Sequence, residues 1–287
     1  MRDTMVGVSV LAVLLVASAI CAIRLAESPN VTANVTTTRP LKPPPTGRIN
    51  VAFIISKGAD VIDIAGAWEV FEDTMLTSKG QPWQGGDDMV MPFNVYTVSD
   101  SMDPIDANGL TLIPNYTFAG APKPRIIVIP AQGGRSAAQE SWLLANAKTA
   151  DVTMSVCTGA SMLAAYGLLD GEAATTHHMY ERGLQQRYPA VHFVNGVRFV
   201  ENDKISTAAG LTSGIDLALH VVERYFGQMV AQSTADYMEY HGELWKNPEL
   251  ATTETKSATN RARQWPALPA QSGGDPQDRV TSSWAGP

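Results

Sequence analysis

The chain has 287 residues, of which 45% are apolar, and its formal net charge is −7 at pH 7. This length accommodates one large or two small domains with a full apolar core. The sequence has no run of Lys or Arg long enough to follow a phosphate backbone, which excludes the electrostatic footprint of a nucleic-acid-binding protein. We therefore expect no nucleic-acid partner, and instead a small-molecule substrate or a second copy of the same chain.

The N-terminal segment of residues 5–23 carries no charged residue. As a helix with a rise of about 1.5 Å per residue, it would extend roughly 28 Å, which is close to the hydrocarbon thickness of a bilayer. We expect this segment to be a transmembrane helix or signal anchor. Ala17-Ser18-Ala19 resembles the cleavage site of a signal peptide, so removal of the segment is the alternative. The domain is accordingly expected to be extracytoplasmic, either membrane-anchored through this helix or secreted.

The rest of the chain divides by composition into three parts. Residues 25–48 are rich in Thr, Pro and Asn and are expected to form an extended linker. Residues 248–287 are rich in Thr, Ser, Gln, Pro and Gly without an apolar period, which predicts a disordered tail. The folded domain is therefore assigned to residues 49–247.

Short apolar runs alternate with helical patterns inside this domain. The predicted strands are 51–55, 93–98, 125–130 and 152–156, and the predicted helices are 64–75, 139–146 and 158–166. Strands of this length, rich in β-branched residues and separated by helices, indicate a buried, mostly parallel sheet with right-handed crossovers. We predict a doubly wound α/β fold, a flavodoxin-like three-layer sandwich. Its ligand site should lie beyond the carboxyl ends of the strands, where the turns after Ile55, Ile129 and Val156 converge.

Cys157 is the only cysteine after Cys21, and it lies between a predicted strand and a predicted helix. Enzymes with α/β folds present a nucleophile at such a turn. The positive end of the following helix favours thiolate, which predicts a lowered cysteine pKa. Gly159 allows a close approach of the backbone and is a candidate oxyanion- or substrate-binding residue. The Thr158 hydroxyl can bind substrate or cap the helix. The alternative is that Cys157 is a small buried hydrophobic residue.

Three further segments supply candidate partners for this thiol. Asp63, after the first predicted strand, is the acid/base candidate, and the alternative is a first-turn aspartate favoured by the helix dipole. His177 offers an imidazole at neutral pH, the usual partner of a cysteine nucleophile. Gln132 and Gly133, in the turn after a strand, offer backbone N–H groups for an oxyanion, with the N–H of Thr158 as a second donor.

The adjacent pair His177-His178 matches neither a helical two-histidine site nor a zinc ribbon, because neighbours on a strand point to opposite faces. We therefore expect no metal site, and no cofactor. One of the two histidines is expected to face the crevice, and the other to pack or to meet solvent.

Five segments together resemble the ThiJ/PfpI superfamily, a branch of the class I glutamine-amidotransferase-like fold. They are VAFIISKGADVIDIAGAWEVF, RIIVIPAQGG, VCTGASMLAAYGLLDG, ATTHHMY and STAAGLTSGIDLALHVVERYFG, in the family's order and at its spacing. The last segment resembles the subgroup that contains isonitrile hydratases and the amino-terminal domains of certain AraC-type regulators. The resemblance also implies a homodimer.

The resemblance implies a nucleophile at Cys157, an acidic partner at Asp63 and a histidine at His177. In isonitrile hydratases the acidic partner is aspartate and the cysteine is followed by threonine, as in Asp63 and Thr158 here. By analogy, the thiolate attacks the terminal isonitrile carbon, the acid supplies a proton, and water releases an N-substituted formamide. The family commonly has Gly-Gly after the strand-terminal proline, whereas Ala131-Gln132 occupy those places in this chain.

Two other functions stay open at this point. One is a non-catalytic ligand-sensing domain, as in the AraC-type regulators. The other is a stress-response protein, deglycase-like or chaperone-like, with Cys157 as a redox-sensitive residue. An amidotransferase of this fold is expected to carry a His and a Glu close together late in the domain. It is disfavoured because the pair in His220-Val221-Val222-Glu223 falls within an amphipathic helix that is expected to pack.

Overall fold

The computed structural model describes residues 39–246, which contain thirteen strands and six α-helices. The strands are β1 (Ile49–Ile54), β2 (Leu76–Thr77), β3 (Met89–Val90), β4 (Phe93–Ser99), β5 (Ile105–Ala107), β6 (Leu110–Leu112), β7 (Tyr116–Thr117), β8 (Ile126–Ile129), β9 (Val152–Val156), β10 (Ala173–Ala174), β11 (His192–Phe193), β12 (Phe199–Glu201) and β13 (Ile205–Ala208). The helices are α1 (Val61–Glu72), α2 (Ala137–Ala147), α3 (Ala160–Ala165), α4 (Glu181–Arg187), α5 (Ser213–Phe226) and α6 (Gln228–Tyr237). Short 3-10 turns span Cys157–Gly159 and Leu244–Lys246.

Two of the predicted segments lie outside the described residues. They are the transmembrane helix of residues 5–23 and the tail of residues 248–287. Between residues 39 and 246, no helix is long and apolar enough to cross a bilayer.

Seven strands form the central sheet, in the order β12-β13-β9-β8-β1-β4-β7. Neighbouring strands are parallel throughout, except for the antiparallel edge pair β12 and β13. The run β4-β1-β8-β9-β13 has the strand order of flavodoxin-like folds. The prediction of a doubly wound, mostly parallel α/β fold is confirmed. Because the order reverses between β1 and β8, a crevice is expected at the carboxyl ends of these two strands.

Helices cover both faces of the sheet. Val51 and Phe53 of β1 belong to the core cluster that includes side chains of α1, α5 and α6. Ala52 and Ile54 point to the opposite face and belong to the cluster that includes side chains of α2 and α3. All four residues are fully buried, which explains why β1 reads as a continuous apolar run rather than an alternating one. Burial of a side chain as large as Phe53 contributes roughly 2–3 kcal/mol.

The last residues of the predicted linker, 39–48, pack on the domain without forming a helix or strand. Leu41 is buried in the core, and its N–H donates to the carbonyl oxygen of Arg224 at 2.7 Å. Arg39 lies 3.5 Å from the carboxylate of Asp203. Residue 49 therefore marks the start of the sheet, whereas packing on the domain begins earlier.

Glu201, His220 and Arg224 form a buried ion cluster between the edge strand β12 and helix α5. One carboxylate oxygen of Glu201 pairs with His220 Nε2 and the other with Arg224 Nη1. Burial lowers the pKa of His220, but hydrogen bonds to Glu201 and Glu223 outweigh burial and raise the pKa to about 9. The imidazolium is therefore the form at neutral pH, and its Nδ1 donates to the carbonyl oxygen of Trp245 at 3.1 Å. His220 thus has a structural role within α5.

We expect Glu201→Gln to lower the free energy of unfolding by about 3–5 kcal/mol, because the charges of His220 and Arg224 would stay buried without their counter-charge. Urea unfolding at pH 7 measures this loss. Asp203→Asn, which removes the exposed carboxylate of the pair with Arg39, is the matched control and should cost less than about 1 kcal/mol. Equal losses in the two variants would contradict the structural role of the cluster.

Candidate active site

Four turns meet at the carboxyl edge of the sheet, after β1, β8, β9 and β13. The N–H of Gly133 donates to the carbonyl oxygen of Lys57 at 3.0 Å, which ties the turn after β8 to the turn after β1. The N–H of Cys157 donates to the carbonyl oxygen of Ala209 at 2.8 Å, which ties the turn after β9 to the turn after β13. The predicted convergence of the first three turns is confirmed, and the turn after β13 joins them.

Cys157 lies at the sharp turn between β9 and α3. Its φ is +58°, in the left-handed region that residues other than glycine adopt rarely. The Thr176 hydroxyl donates to its carbonyl oxygen at 2.9 Å, so both backbone groups of Cys157 are held by hydrogen bonds. The residue is only 5% exposed. A strained, well-held conformation of this kind is found at nucleophile turns and other functional sites.

Gly159 is required by the close contact between this turn and the end of β8. A Cβ on Gly159 would lie 2.2 Å from the carbonyl oxygen of Ile129 and 3.0 Å from that of Pro130. The residue is also buried. Gly159 thus packs against the end of β8 and permits the turn that carries Cys157, while its role as an oxyanion- or substrate-binding residue stays a prediction.

The Asp63 carboxyl group is fully buried in the first turn of α1 at the same edge of the sheet. Its Oδ2 accepts the N–H of Ala131 at 2.9 Å, and the N–H of Asp60 donates to the carbonyl oxygen of Ala131 at 2.8 Å. These two bonds fasten the start of α1 to the turn after β8, across the crevice between β1 and β8. Among residues 39–246, Asp63 Oδ1 has no hydrogen-bond partner, so this oxygen is available to exchange a proton.

Burial raises the pKa of Asp63 to about 7, against the lowering effect of the Ala131 N–H and with a further rise from the charge of Asp60. Burial likewise raises the pKa of the Cys157 thiol to about 12, and the charge of Asp63 adds to that rise. Hydrogen bonds from the N–H groups of Thr158 and Leu211 lower the thiol pKa without offsetting burial. The prediction of a lowered cysteine pKa is therefore wrong, because burial outweighs the backbone donors.

Asp63 and Cys157 act as a coupled pair. Because an ionised Asp63 raises the thiol pKa, the two groups do not carry negative charges together near neutral pH. Above about pH 7 the pair consists of a carboxylate and a thiol. The carboxylate can take the thiol proton as sulfur attacks a ligand, and its raised pKa favours the protonated product of that transfer.

The turn after β8 offers fewer oxyanion donors than predicted. The N–H of Gly133 is already donated to Lys57, and the N–H of Ala131 is donated to Asp63. The backbone N–H of Gln132 has no acceptor within residues 39–246, so it is a donor that this turn can offer. The Gln132 side chain is directed to β1, where its Nε2 donates to the carbonyl oxygen of Ile54 at 3.1 Å.

His177 packs on the turn after β13. A Cβ on Gly210 would lie 2.6 Å from His177 Cδ2, and the rings of His177 and His178 stack with centroids 4.5 Å apart. The ring Nδ1 accepts the N–H of Met179 at 3.2 Å, which places the proton of the neutral ring on Nε2. Burial and the neighbouring His178 lower the pKa of His177. His178 is exposed.

Within the described residues, no hydrogen bond joins His177 to the Cys157 thiol. The charge of Asp60 acts on both His177 and Cys157, and His177 contacts Gly210 in the turn that carries Leu211. The catalytic role of His177 stays a prediction.

Leu211 is a site residue that the sequence did not reveal. Its N–H is hydrogen-bonded to the Cys157 thiol, and its φ is +50°. Its side chain is 39% exposed. A signal was present, because Ala209 and Gly210 form a turn directly after a strand, at the edge where Cys157 lies. Nothing in a leucine side chain, however, indicates that its backbone N–H binds sulfur.

Residues 49–224 match the DJ-1/PfpI family. The chain belongs to this family. Isonitrile hydratase of Pseudomonas putida is 32% identical to this DJ-1/PfpI chain over 152 residues, which are 51% of the chain and 65% of that enzyme. The HTH-type transcriptional regulator GbdR of Pseudomonas aeruginosa is 25% identical over 138 residues, 47% of the chain and 37% of the regulator. The chain thus spans less than two thirds of the length of either relative.

The fold is also similar to solved structures. The crystal structure of a ThiJ/PfpI family protein from Pseudomonas syringae matches this DJ-1/PfpI chain with a TM-score of 0.58 and 22% identity. That match covers 83% of this chain and 95% of the other.

We expect Gly159→Ala to destabilise the protein by roughly 3 kcal/mol or more, because the new methyl group would press on two backbone carbonyl oxygens that cannot rotate away. Thermal or urea unfolding measures the loss. Gly183→Ala in α4 is the matched control: no atom lies within 4 Å of its added Cβ, and alanine in a helix is favourable by up to about 1 kcal/mol. A stable Gly159→Ala variant would contradict the close contact with β8.

We expect Asp63→Asn to stabilise the protein by roughly 2–4 kcal/mol at pH 8, because the wild type carries the cost of ionising a buried carboxyl group. As the pH rises from 3.8 to about 7, the unfolded chain loses this proton before the folded chain does, so the wild type loses stability. The difference between the variants should therefore disappear below about pH 4. Urea unfolding of both proteins at pH 8 and at pH 4 measures this difference in stability. Asp88→Asn, at an exposed position, is the control for the change in net charge.

Proposed function

We propose that this chain is a cysteine-dependent hydratase of a small molecule, with an isonitrile as the substrate class. The observation that carries the proposal is the buried pair of Asp63 and Cys157. An acid with a pKa of about 7 acts electrostatically on a thiol at a strained strand-to-helix turn. The similarity to isonitrile hydratase of Pseudomonas putida, over 51% of the chain, supports the choice of substrate.

The proposed reaction adds water to the isonitrile carbon in two stages. In the first stage the thiol S–H bond breaks, sulfur bonds to the terminal carbon, and the proton passes through Asp63 Oδ1 to the same carbon. The product is a thioformimidate, R–N=CH–S, attached to Cys157. In the second stage water oxygen bonds to that carbon, one water proton goes to nitrogen, and the carbon–sulfur bond breaks. The N-substituted formamide leaves, and the remaining water proton restores the thiol.

Each neighbouring group has a role in this scheme. The N–H groups of Thr158 and Leu211, which are hydrogen-bonded to the thiol, stabilise negative charge on sulfur as it forms and leaves. We assign the N–H of Gln132 to donate a hydrogen bond to an acceptor atom of the ligand. The Thr158 hydroxyl is half-buried and makes no hydrogen bond in the described part of the chain, so we assign it to orienting water or substrate.

A second candidate is a ligand-sensing or stress-response domain in which Cys157 does not turn over substrate. Two observations favour it. The chain is 25% identical over 138 residues to a transcriptional regulator, GbdR. The thiol pKa of about 12 also keeps Cys157 protonated at neutral pH, which makes it a slow nucleophile without help from Asp63.

The remaining expectations about partners stay predictions. We propose a homodimer, no nucleic-acid partner and an extracytoplasmic location, with residues 5–23 as a membrane anchor or a cleaved signal.

The test is turnover of benzyl isocyanide by the full chain, followed as the appearance of N-benzylformamide. Cys157→Ala should lose at least about 10³-fold in rate because the nucleophile is gone, and Asp63→Asn about 10²–10⁴-fold because no acid/base group remains. The wild-type rate should rise to a plateau as the pH passes about 7, where Asp63 ionises.

Asp88→Asn should retain the wild-type rate, and each variant is first checked for cooperative unfolding. Equal turnover by Cys157→Ala and the wild type would contradict the proposal. Binding of isonitrile without turnover, unchanged in Cys157→Ala, would favour the sensing function.

A further inference from the structure

Asp60 occupies the N-cap position of α1, but its carboxylate does not cap the helix. The side chain makes no hydrogen bond to the first turn. Capping bonds by aspartate at this position are typically worth about 1 kcal/mol. Within residues 39–246, no Lys, Arg or His forms an ion pair with Asp60. Burial and His178 lower the pKa of His177 more than the charge of Asp60 raises it, so this neighbouring ring is neutral at pH 7 and supplies no counter-charge. The half-buried Asp60 carboxylate therefore has neither a capping bond nor an ion pair in the described part of the chain.

The backbone of Asp60 holds this carboxylate at the candidate active site. Its N–H donates to the carbonyl oxygen of Ala131 at 2.8 Å. Asp63, three residues later in the chain, accepts the N–H of the same Ala131 at 2.9 Å. Burial is the main cause of the raised pKa values of Asp63 and Cys157, and the charge of Asp60 adds to both. Asp60 thus lies close enough to act electrostatically on both members of the reacting pair.

Apolar side chains are exposed next to this charge. Ile62, in the first turn of α1, is 38% exposed, and Leu211, whose N–H is hydrogen-bonded to the thiol, is 39% exposed. Leu211 belongs to the turn after β13 that meets Cys157, and Ile62 begins the helix that follows the turn after β1. The ligand we consider therefore approaches an edge of the sheet that exposes apolar side chains and one carboxylate that has no ion pair in the described part of the chain.

We infer that Asp60 is a specificity-determining residue that selects positively charged ligands for the site at Cys157. The favoured ligand is a compact molecule with an ammonium group near its reactive carbon and an apolar body that contacts Ile62 and Leu211. A carboxylate ligand is excluded because it would be repelled by Asp60 and by ionised Asp63. For a substrate the inference rests on the proposed function, whereas charge selection holds equally for a ligand that is bound without turnover.

The experiment compares two methanethiosulfonate reagents on the full chain, one with a trimethylammonioethyl group and one with a sulfonatoethyl group. Each forms a disulfide with the thiol and releases methanesulfinate. Because the chain contains a second cysteine, Cys21, the rate at Cys157 is measured by mass spectrometry of its own peptide. The ratio of the two rates is the readout, since the fraction of Cys157 present as thiolate is the same for both reagents and cancels.

Because a thiolate by itself favours the cationic reagent, the ratio is divided by that of 2-mercaptoethanol in the same buffer. We expect this normalised ratio to be about tenfold in the wild type, as Coulomb attraction and repulsion over a few ångströms at a partly solvated site predict. Asp60→Asn should lower this ratio by about threefold or more. Asp88→Asn changes the net charge by the same amount on an exposed loop and should leave the ratio unchanged.

Three results would overturn the inference. The first is that Asp60→Asn leaves the rate ratio unchanged. The second is that Asp88→Asn lowers the rate ratio as much as Asp60→Asn does, and the third is that Cys157 reacts with neither reagent in the folded protein.

Turnover is measured in a separate experiment, which compares 3-(dimethylamino)propyl isocyanide with isocyanoacetate as substrates. Absence of turnover with a retained charge ratio would remove the proposed function and leave charge selection standing. Turnover of both isonitriles at equal kcat/KM would keep the proposed function and overturn the role of Asp60.

Discussion

Two hydrogen bonds between Ala131 and the start of α1 position the chemistry of this protein. They join groups that are far apart in the sequence, since Asp63 and Ala131 are separated by 68 residues. The bonds exist because the strand order reverses between β1 and β8, which brings the ends of these two strands side by side. They hold the buried Asp63 carboxyl group in place, and they also occupy the Ala131 N–H, whereas the N–H of Gln132 stays available as a donor.

Burial in the fold disfavours the ionised form of Asp63, and the raised pKa that results is what suits this residue to proton transfer. A carboxyl group in water would be ionised well below neutral pH and would be a weak base. Burial raises the pKa of Asp63 to about 7, so the group can accept and return a proton at physiological pH. The same burial makes the Cys157 thiol a poor acid, so the two groups are chemically useful only as a pair.

The sheet could be predicted from the sequence because a strand that is buried on both faces consists of consecutive apolar residues, as β1 does. The sequence also indicated Cys157 and Asp63, since both follow predicted strands at one edge of the sheet and carry reactive side chains. The sign of the thiol pKa shift and the N–H of Leu211 could not be predicted in this way. The burial of the Cys157 thiol and the direction of the Leu211 N–H both depend on how turns that are distant in the sequence pack together. Residue types and their spacing do not reveal that packing.

The buried ion cluster also connects the two ends of the described domain. Leu41 is bonded to the carbonyl oxygen of Arg224, and the carbonyl oxygen of Trp245 is bonded to His220, so both end segments are attached to α5 within two turns of helix. Local opening of a protein proceeds in cooperative units whose members share such contacts. The two ends of the domain are therefore expected to fray together, as one unit, rather than independently.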